Sequence, residues 1–189
     1  MSNVYEKCPS LENERFLLRF VEEKDANDLL EVYSDKNALA FFNSDNCGGE
    51  NFYYTTEEQM VDAIGYWHFE YERKGFVRFS IIDKMKEKVI GTIELFNRTA
   101  TDYFNNCGIL RFDVGSAYEK QEILYDILSV ILKPAYELFD CEMLATKAAL
   151  YAVERIEALK RAGFEKTEEC LVGHDGRMYW DYWILQKAK

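Results

Sequence analysis

The alternation of apolar and polar positions is clearest in residues 107–114, where Leu110, Phe112 and Val114 share one side of the chain. A period of two predicts a β-strand. A stripe of apolar residues at helical spacing begins at Ile123 and predicts a long helix after the strand. Strand–helix junctions in α/β proteins often bind ligands, because the first N–H groups of the helix carry partial positive charge.

Periodicity elsewhere predicts a mixed α/β fold. Strands are expected at residues 15–20, 76–83, 88–96 and 142–148 and in a C-terminal pair within 164–187. Helices are expected at 22–35, from Thr56 through a stripe that reaches Tyr71 with a stop at Gly75, and at 154–164. Strand–helix–strand order around the central helix predicts a parallel pair of strands. Together these elements predict a strongly twisted, mixed sheet of about seven strands with helices on both faces.

Three local signals refine these elements. Thr56-Glu57-Glu58-Gln59 has the spacing of a capping box, and so does Ser116-Ala117-Tyr118-Glu119. Pro134 lies within the central helical pattern and predicts a kink or an early end there. In the strand at 88–96, simple alternation places two sets of residues on opposite faces: Val89, Gly91, Ile93 and Leu95 on one, and Ile90, Thr92, Glu94 and Phe96 on the other.

Composition narrows the class of protein. A length of 189 residues suits one domain spanning residues 1–189, and a formal net charge of −11 excludes a basic nucleic-acid-binding surface. The start of the chain lacks the apolar core of a signal peptide, and no apolar run reaches membrane-spanning length, so we expect a cytoplasmic protein without a membrane partner. Five scattered cysteines and two isolated histidines predict neither a disulfide framework nor a metal site.

Several segments in a fixed order carry a family resemblance: RFLLRF, FVRFSIID, KVIGTIELF, RIEALKRAGFEK and GHDGRMYWDYWILQK. The chain resembles the GNAT superfamily of acyl-CoA-dependent N-acetyltransferases, most of all the branch that acetylates the N-termini of ribosomal proteins. The resemblance implies a GNAT-like sheet and acetyl-CoA as co-substrate without a metal. It also implies direct attack on the thioester by a primary amine of a small molecule or a peptide N-terminus. A homodimer is compatible with the sequence.

In that family, a Gln/Arg-x-x-Gly-x-Gly/Ala loop binds the CoA pyrophosphate. The corresponding positions here are Glu119, Lys120, Gln121, Glu122, Ile123 and Leu124, so both glycines are replaced and the basic position is acidic. The resemblance also implies that the backbone of Phe112, Asp113 and Val114 binds the pantetheine arm. Arg155 is a candidate phosphate ligand. If Ser116 caps the central helix, the first N–H groups of that helix are not free for an anion.

The chemistry requires a neutral amine, a donor to the carbonyl oxygen and a proton for the leaving thiolate. Glu94 is the first candidate base, because a strand carboxylate in apolar surroundings suits proton transfer, and Asp113 is the second. Tyr151, just after a predicted strand, is the candidate acid. The alternative is a catalytically degenerate GNAT-fold protein that binds or regulates and does not bind CoA in the usual way.

Overall fold

The computed structural model describes residues 4–187. Its strands are β1 (Leu11–Glu12), β2 (Phe16–Phe20), β3 (Val77–Asp83), β4 (Lys88–Arg98), β5 (Cys107–Val114), β6 (Met143–Lys147), β7 (Glu165–Lys166), β8 (Leu171–Val172), β9 (Met178–Tyr179) and β10 (Tyr182–Gln186). Eight of these form one sheet in the order β1-β2-β3-β4-β5-β6-β10-β7, and β8 pairs with β9 in a separate ribbon. Only β5 and β6 are parallel neighbours in the described sheet.

Two pairs of helices cover the sheet, as the sequence predicts. The helices are α1 (Ala26–Tyr33), α2 (Glu57–Glu72), α3 (Gln121–Leu138) and α4 (Val153–Arg161). α1 and α2 pack over one face with their own apolar core, and α3 and α4 pack over the other. The predicted capping box at the start of α2 is confirmed, since the Gln59 N–H donates to the Thr56 hydroxyl at 3.3 Å. Among the described helices, none combines the length and hydropathy needed to cross a bilayer.

The central helix does not end at Pro134. α3 continues to Leu138, so the expected early end is wrong. A proline removes its own N–H donor from the helix and crowds the carbonyl one turn earlier, a cost that packing can offset. Ile131 and Ala135, on either side of the proline, are fully buried against the sheet, and this packing holds the last turn in place.

A β-bulge in β4 changes which residues share a face. Ile81 pairs with Gly91 and Ile82 with Val89, so Ile90 has no partner in β3. Because of this extra residue, Ile90 packs in the core beneath α3, whereas Val89 packs in the core beneath α1 and α2. The simple alternation predicted for the start of this strand is therefore wrong, although it holds beyond the bulge.

Candidate functional site

The two parallel strands at the centre of the sheet separate part of the way along. β5 and β6 pair from Cys107–Met143 to Ile109–Ala145, and β5 then continues without β6 to Val114. Close approach at the paired end requires Gly108, because a Cβ there would lie 2.6 Å from the Leu144 side chain. Beyond Ile109 the edge of β5 that faces β6 has no strand partner. We call this opening between the two strands the gap.

One predicted residue of β5 presents its backbone to the gap. The Phe112 carbonyl accepts a hydrogen bond from Arg155 Nη1 at 2.7 Å. Since the N–H and C=O of one strand residue point to the same edge, the Phe112 N–H also faces the gap, as does the backbone of Val114. The backbone of Asp113 faces β4 instead, because the neighbouring Gly115 N–H on that edge donates to Ile90.

Arg155 fills the entrance of the gap together with a carboxylate of the predicted loop. Its Nε and Nη2 atoms donate to the Glu119 carboxylate at 2.7 and 2.8 Å. Both side chains are buried, with 4% and 5% of their surface exposed. The structure thus brings together Phe112, Glu119 and Arg155, three residues that the sequence analysis assigned to cofactor binding.

The start of α3 differs from the prediction. Ser116 lies in the 3-10 turn Ser116–Tyr118, and its hydroxyl does not cap α3, which begins at Gln121. The Ser116 N–H donates to the Asp35 carboxylate at 2.8 Å, and this contact holds the serine away from the helix. The Gln121 N–H donates to the Glu154 carboxylate of α4 at 2.7 Å. The predicted Ser116 cap is therefore wrong, and a carboxylate from another helix occupies the helix start.

The other predicted loop residues divide between surface and core. Lys120 is exposed immediately before α3, and Glu122 forms a surface ion pair with Arg161. Ile123 packs against the core, and Leu124 is fully buried in it. The two apolar side chains therefore stabilise α3 by packing in the core.

A cavity of about 170 Å³ lies at the open end of the gap. The loop after α1 forms one wall of the cavity, and the end of β6 and the start of α4 form the other. The polar and aromatic side chains that line it include those of Phe41, Asn43, Asp45, Lys147, Tyr151 and Arg155. Tyr151 closes the mouth, since its hydroxyl donates to the Ala40 carbonyl at 2.5 Å. Its hydroxyl proton is thus already used, although the side chain is 62% exposed.

The candidate bases Glu94 and Asp113 do not line this cavity. Both lie on the sheet face beneath α1 and α2, each only 2% exposed. Glu94 forms ion pairs with Arg78 and, at 3.4 Å, with Arg111. The apolar surroundings expected for Glu94 are therefore wrong, because the β-strand neighbours of this carboxylate are two guanidinium groups.

Asp113 belongs to the same buried network. Its Oδ2 accepts from the Tyr33 hydroxyl at 3.0 Å and lies 3.4 Å from Arg78. Burial raises the pKa of Asp113, and the positive charge of Arg78 only partly offsets that effect. The pKa of Tyr33 is also raised well above its ordinary value, by burial and by the nearby Asp113 charge. We interpret these groups as a structural network, because the cavity does not reach them.

The carboxylate that does line the cavity, Asp45, is not among the residues predicted from the sequence. Asp45 accepts two hydrogen bonds from Lys147 Nζ, at 2.8 and 2.9 Å, and one from the Tyr182 hydroxyl at 3.0 Å. Its backbone carbonyl accepts from Arg111 at 2.5 Å. The residue lies in a polar loop without periodicity, so no spacing signal could have placed it against β6 and β10.

Comparisons with known proteins agree with this geometry. The acetyltransferase (GNAT) domain family matches residues 15–165. The fold is similar to the ribosomal-protein-S5-alanine acetyltransferase from Vibrio fischeri, with 18% identity and a TM-score of 0.68, covering 94% of each chain. A GNAT-family acetyltransferase from Bacillus anthracis gives 15% identity and a TM-score of 0.68, covering 94% of this chain and 98% of that one.

A third similar structure contains a CoA derivative. RimJ from Mycobacterium smegmatis, solved in complex with CoA-disulfide, has 14% identity and a TM-score of 0.69, covering 93% of this chain and 85% of that one. The comparison with curated protein sequences gives no match. A mixed sheet opened between two parallel strands, with helices on both faces, defines an acyltransferase fold of the GNAT type. The chain belongs to the GNAT acetyltransferase family and is an N-acetyltransferase.

These residues fit one part of a CoA donor, the acyl-thioester arm, but not its diphosphate. The gap and its cavity fit an acyl-thioester arm, because the Phe112 edge of β5 and a cavity beside Arg155 are both present. The entrance does not fit a diphosphate in this conformation, since Glu119 holds the Arg155 guanidinium and Glu154 holds the first N–H of α3. Binding of the whole nucleotide therefore requires these two carboxylates to move.

Proposed function

We propose that the protein transfers an acetyl group from acetyl-CoA to a primary amine at the open end of the β5–β6 gap. The observation that carries this proposal is the cavity that joins Arg155 and Lys147 on one wall to Asp45 on the other. A thioester entering from one end and an amine from the other would meet there. Acetyl-CoA supplies the acetyl group as an activated thioester.

The chain's residues suit direct transfer. In the reaction, the neutral amine forms the N–C bond, the C–S bond breaks, the nitrogen gives up one proton and the thiolate takes up one. The Phe112 N–H, on the gap edge of β5, is a fixed donor for an oxygen that gains negative charge. The buried walls around Arg155 exclude water, which would otherwise hydrolyse the thioester.

A peptide N-terminus is the acceptor class that we favour. The similar structure from Vibrio fischeri is described as a ribosomal-protein-S5-alanine acetyltransferase, and this description supports a peptide amine as the acceptor. The exposed apolar side chains Leu150, Tyr151 and Val153 stand at the cavity mouth or next to it, where a polypeptide behind the amine would lie.

The test is acetyl transfer to defined peptides. The full-length protein is incubated with acetyl-CoA and peptides that have a free α-amino group, and the released CoA thiol and the acetylated peptide are both quantified. The same peptides with a blocked α-amino group are the control. We expect transfer to the free peptides only. Equal thiol release without peptide, or none with any peptide or small primary amine, would contradict the proposal.

A further inference from the structure

The cavity wall carries a site whose chemistry suits a primary ammonium group. Of the described residues that line the cavity, Asp45 alone carries a carboxylate. Asp45 is 8% exposed, and the Tyr182 hydroxyl that donates to it is 1% exposed. Burial and the adjacent Asp45 charge raise the pKa of Tyr182, so the phenol stays protonated as a donor. A buried carboxylate of this kind requires a cation as its partner.

Rigid elements fix the carboxylate in place. Arg111 of β5 donates to the Asp45 carbonyl, and the Asp45 N–H donates to the Asn43 side chain at 3.0 Å. Tyr182 approaches from β10, directly opposite Lys147 in the β6–β10 pairing. The loop is thus held on both sides, and the carboxylate does not depend on Lys147 alone for its position.

The partner in this structure is the Lys147 ammonium, whose side chain is 25% exposed. Lys147 is two residues beyond Ala145, the last residue of β6 that pairs with β5, so the ion pair lies where the gap opens. The long, flexible lysine side chain reaches this point from the cavity wall and has a route to solvent. A primary ammonium on a flexible stem therefore already occupies the Asp45 carboxylate.

We propose that Asp45 binds the ammonium group of the acceptor amine, and that Lys147 occupies this position until the acceptor displaces it. The inference rests on the proposed acetyl transfer for its role, but its binding chemistry is independent of that reaction. An acceptor nitrogen held at Asp45 would share the cavity with the gap that contains Arg155. The site thus favours cationic primary amines as bound acceptors. The bound ammonium gives one proton to solvent before attack, and the neutral amine then loses its second proton as the N–C bond forms.

The kinetic test separates acceptor binding from donor binding. In Asp45→Asn, the loss of a charged hydrogen-bond partner should raise KM for the peptide amine roughly 10- to 100-fold. KM for acetyl-CoA should stay unchanged. Lys147→Met, which removes the competing ammonium, should lower KM for the peptide. The matched control is Asp62→Asn, an equal charge change at an exposed position of α2. An unchanged peptide KM in Asp45→Asn would overturn the inference.

A second test needs no acetyl transfer. Lys147→Ala removes the atoms that propylammonium contains, so propylammonium chloride should raise the melting temperature of this variant in a concentration-dependent manner. Neutral 1-propanol should not, and the double variant with Asp45→Asn should not respond to propylammonium. Wild type, whose site is filled, is the further control. If Lys147→Ala does not fold, the same titration is done by NMR on Lys147→Met, where propylammonium should shift resonances near Asp45.

The two tests distinguish failure of the ammonium site from failure of the proposed acetyl transfer. Propylammonium binding together with no acetylation of any amine would retain the ammonium site and reject the proposed function. Acetylation with an unchanged peptide KM in Asp45→Asn would retain the function and reject the site. No propylammonium response in the lysine variants would also reject the site, whatever the activity.

Discussion

The Glu119–Arg155 ion pair provides a direct test of how the donor enters. Glu119→Gln keeps the size of the side chain but removes the charge that holds Arg155, whose third hydrogen bond goes to Phe112. Breaking a buried pair of this kind typically costs roughly 3–5 kcal/mol of unfolding free energy. Because Gln retains one acceptor oxygen, we expect the unfolding free energy to fall by about 3 kcal/mol, the lower end of this range. Urea unfolding of wild type and Glu119→Gln measures this difference in unfolding free energy.

The same substitution should strengthen CoA binding. A guanidinium released from Glu119 gains a phosphate partner, and a hydrogen bond to a charged group is worth roughly 1.5–3 kcal/mol. That range corresponds to roughly a 10- to 100-fold gain in affinity. The gain should diminish at high salt, because added ions screen the phosphate charge. Calorimetric titration with CoA measures the affinity of variant and wild type.

A matched control isolates the effect of position from that of charge. Glu157→Gln makes the same charge change on α4, but the Glu157 side chain is 46% exposed and pairs at the surface with Lys160. Its affinity for CoA and its stability should stay close to wild type. If Glu119→Gln binds CoA no more tightly than Glu157→Gln, then Glu119 does not hold the donor entrance closed, and the reasoning fails.

Two further predictions concern stability. Burial alone would raise the pKa of Asp25. Hydrogen bonds to its carboxylate, first of all those from Arg19, instead hold this pKa below its ordinary value. Asp25→Asn should therefore lower the melting temperature most above about pH 5, and the difference from wild type should shrink as the pH falls below about 4; a constant difference would contradict this. At Gly91, a Cβ would lie 2.1 Å from the Asp113 carbonyl oxygen. Gly91→Ala should cost at least roughly 1–3 kcal/mol in urea unfolding, whereas Gly65→Ala, in open space on α2, should stabilise by about 0.5–1 kcal/mol.

Local pattern was enough to predict most of the elements. The strand at Cys107–Val114 and the capping box at Thr56 both follow from residues close together in sequence. Each depends on side-chain period, a cap or a turn, which neighbouring residues determine. The face of Ile90 was predicted wrongly because a bulge against β3 overrides simple alternation, and the early end expected at Pro134 does not occur because its neighbours pack in the core.

The candidate site was predicted only in part. Arg155, Glu119 and Phe112 were named from their places in the family pattern, and the structure brings them together at the gap. Glu94 was chosen for apolar neighbours on its own strand, but the neighbours that matter are Arg78 and Arg111 on β3 and β5. Facing strands supply these charges, and one strand's sequence does not reveal which residues lie opposite.

By itself, the sequence determined the class of fold, the order of its elements and the family, because periodicity and motif order are properties of the linear chain. Only the tertiary structure decided what each charge does. Glu154 occupies the start of α3 from α4, and Asp45 reaches Lys147 across 102 positions of sequence. The Glu154 contact lies at the surface, whereas the Asp45 carboxylate is buried and must have a partner, since a charge removed from water is costly; the fold alone determines which partner is near.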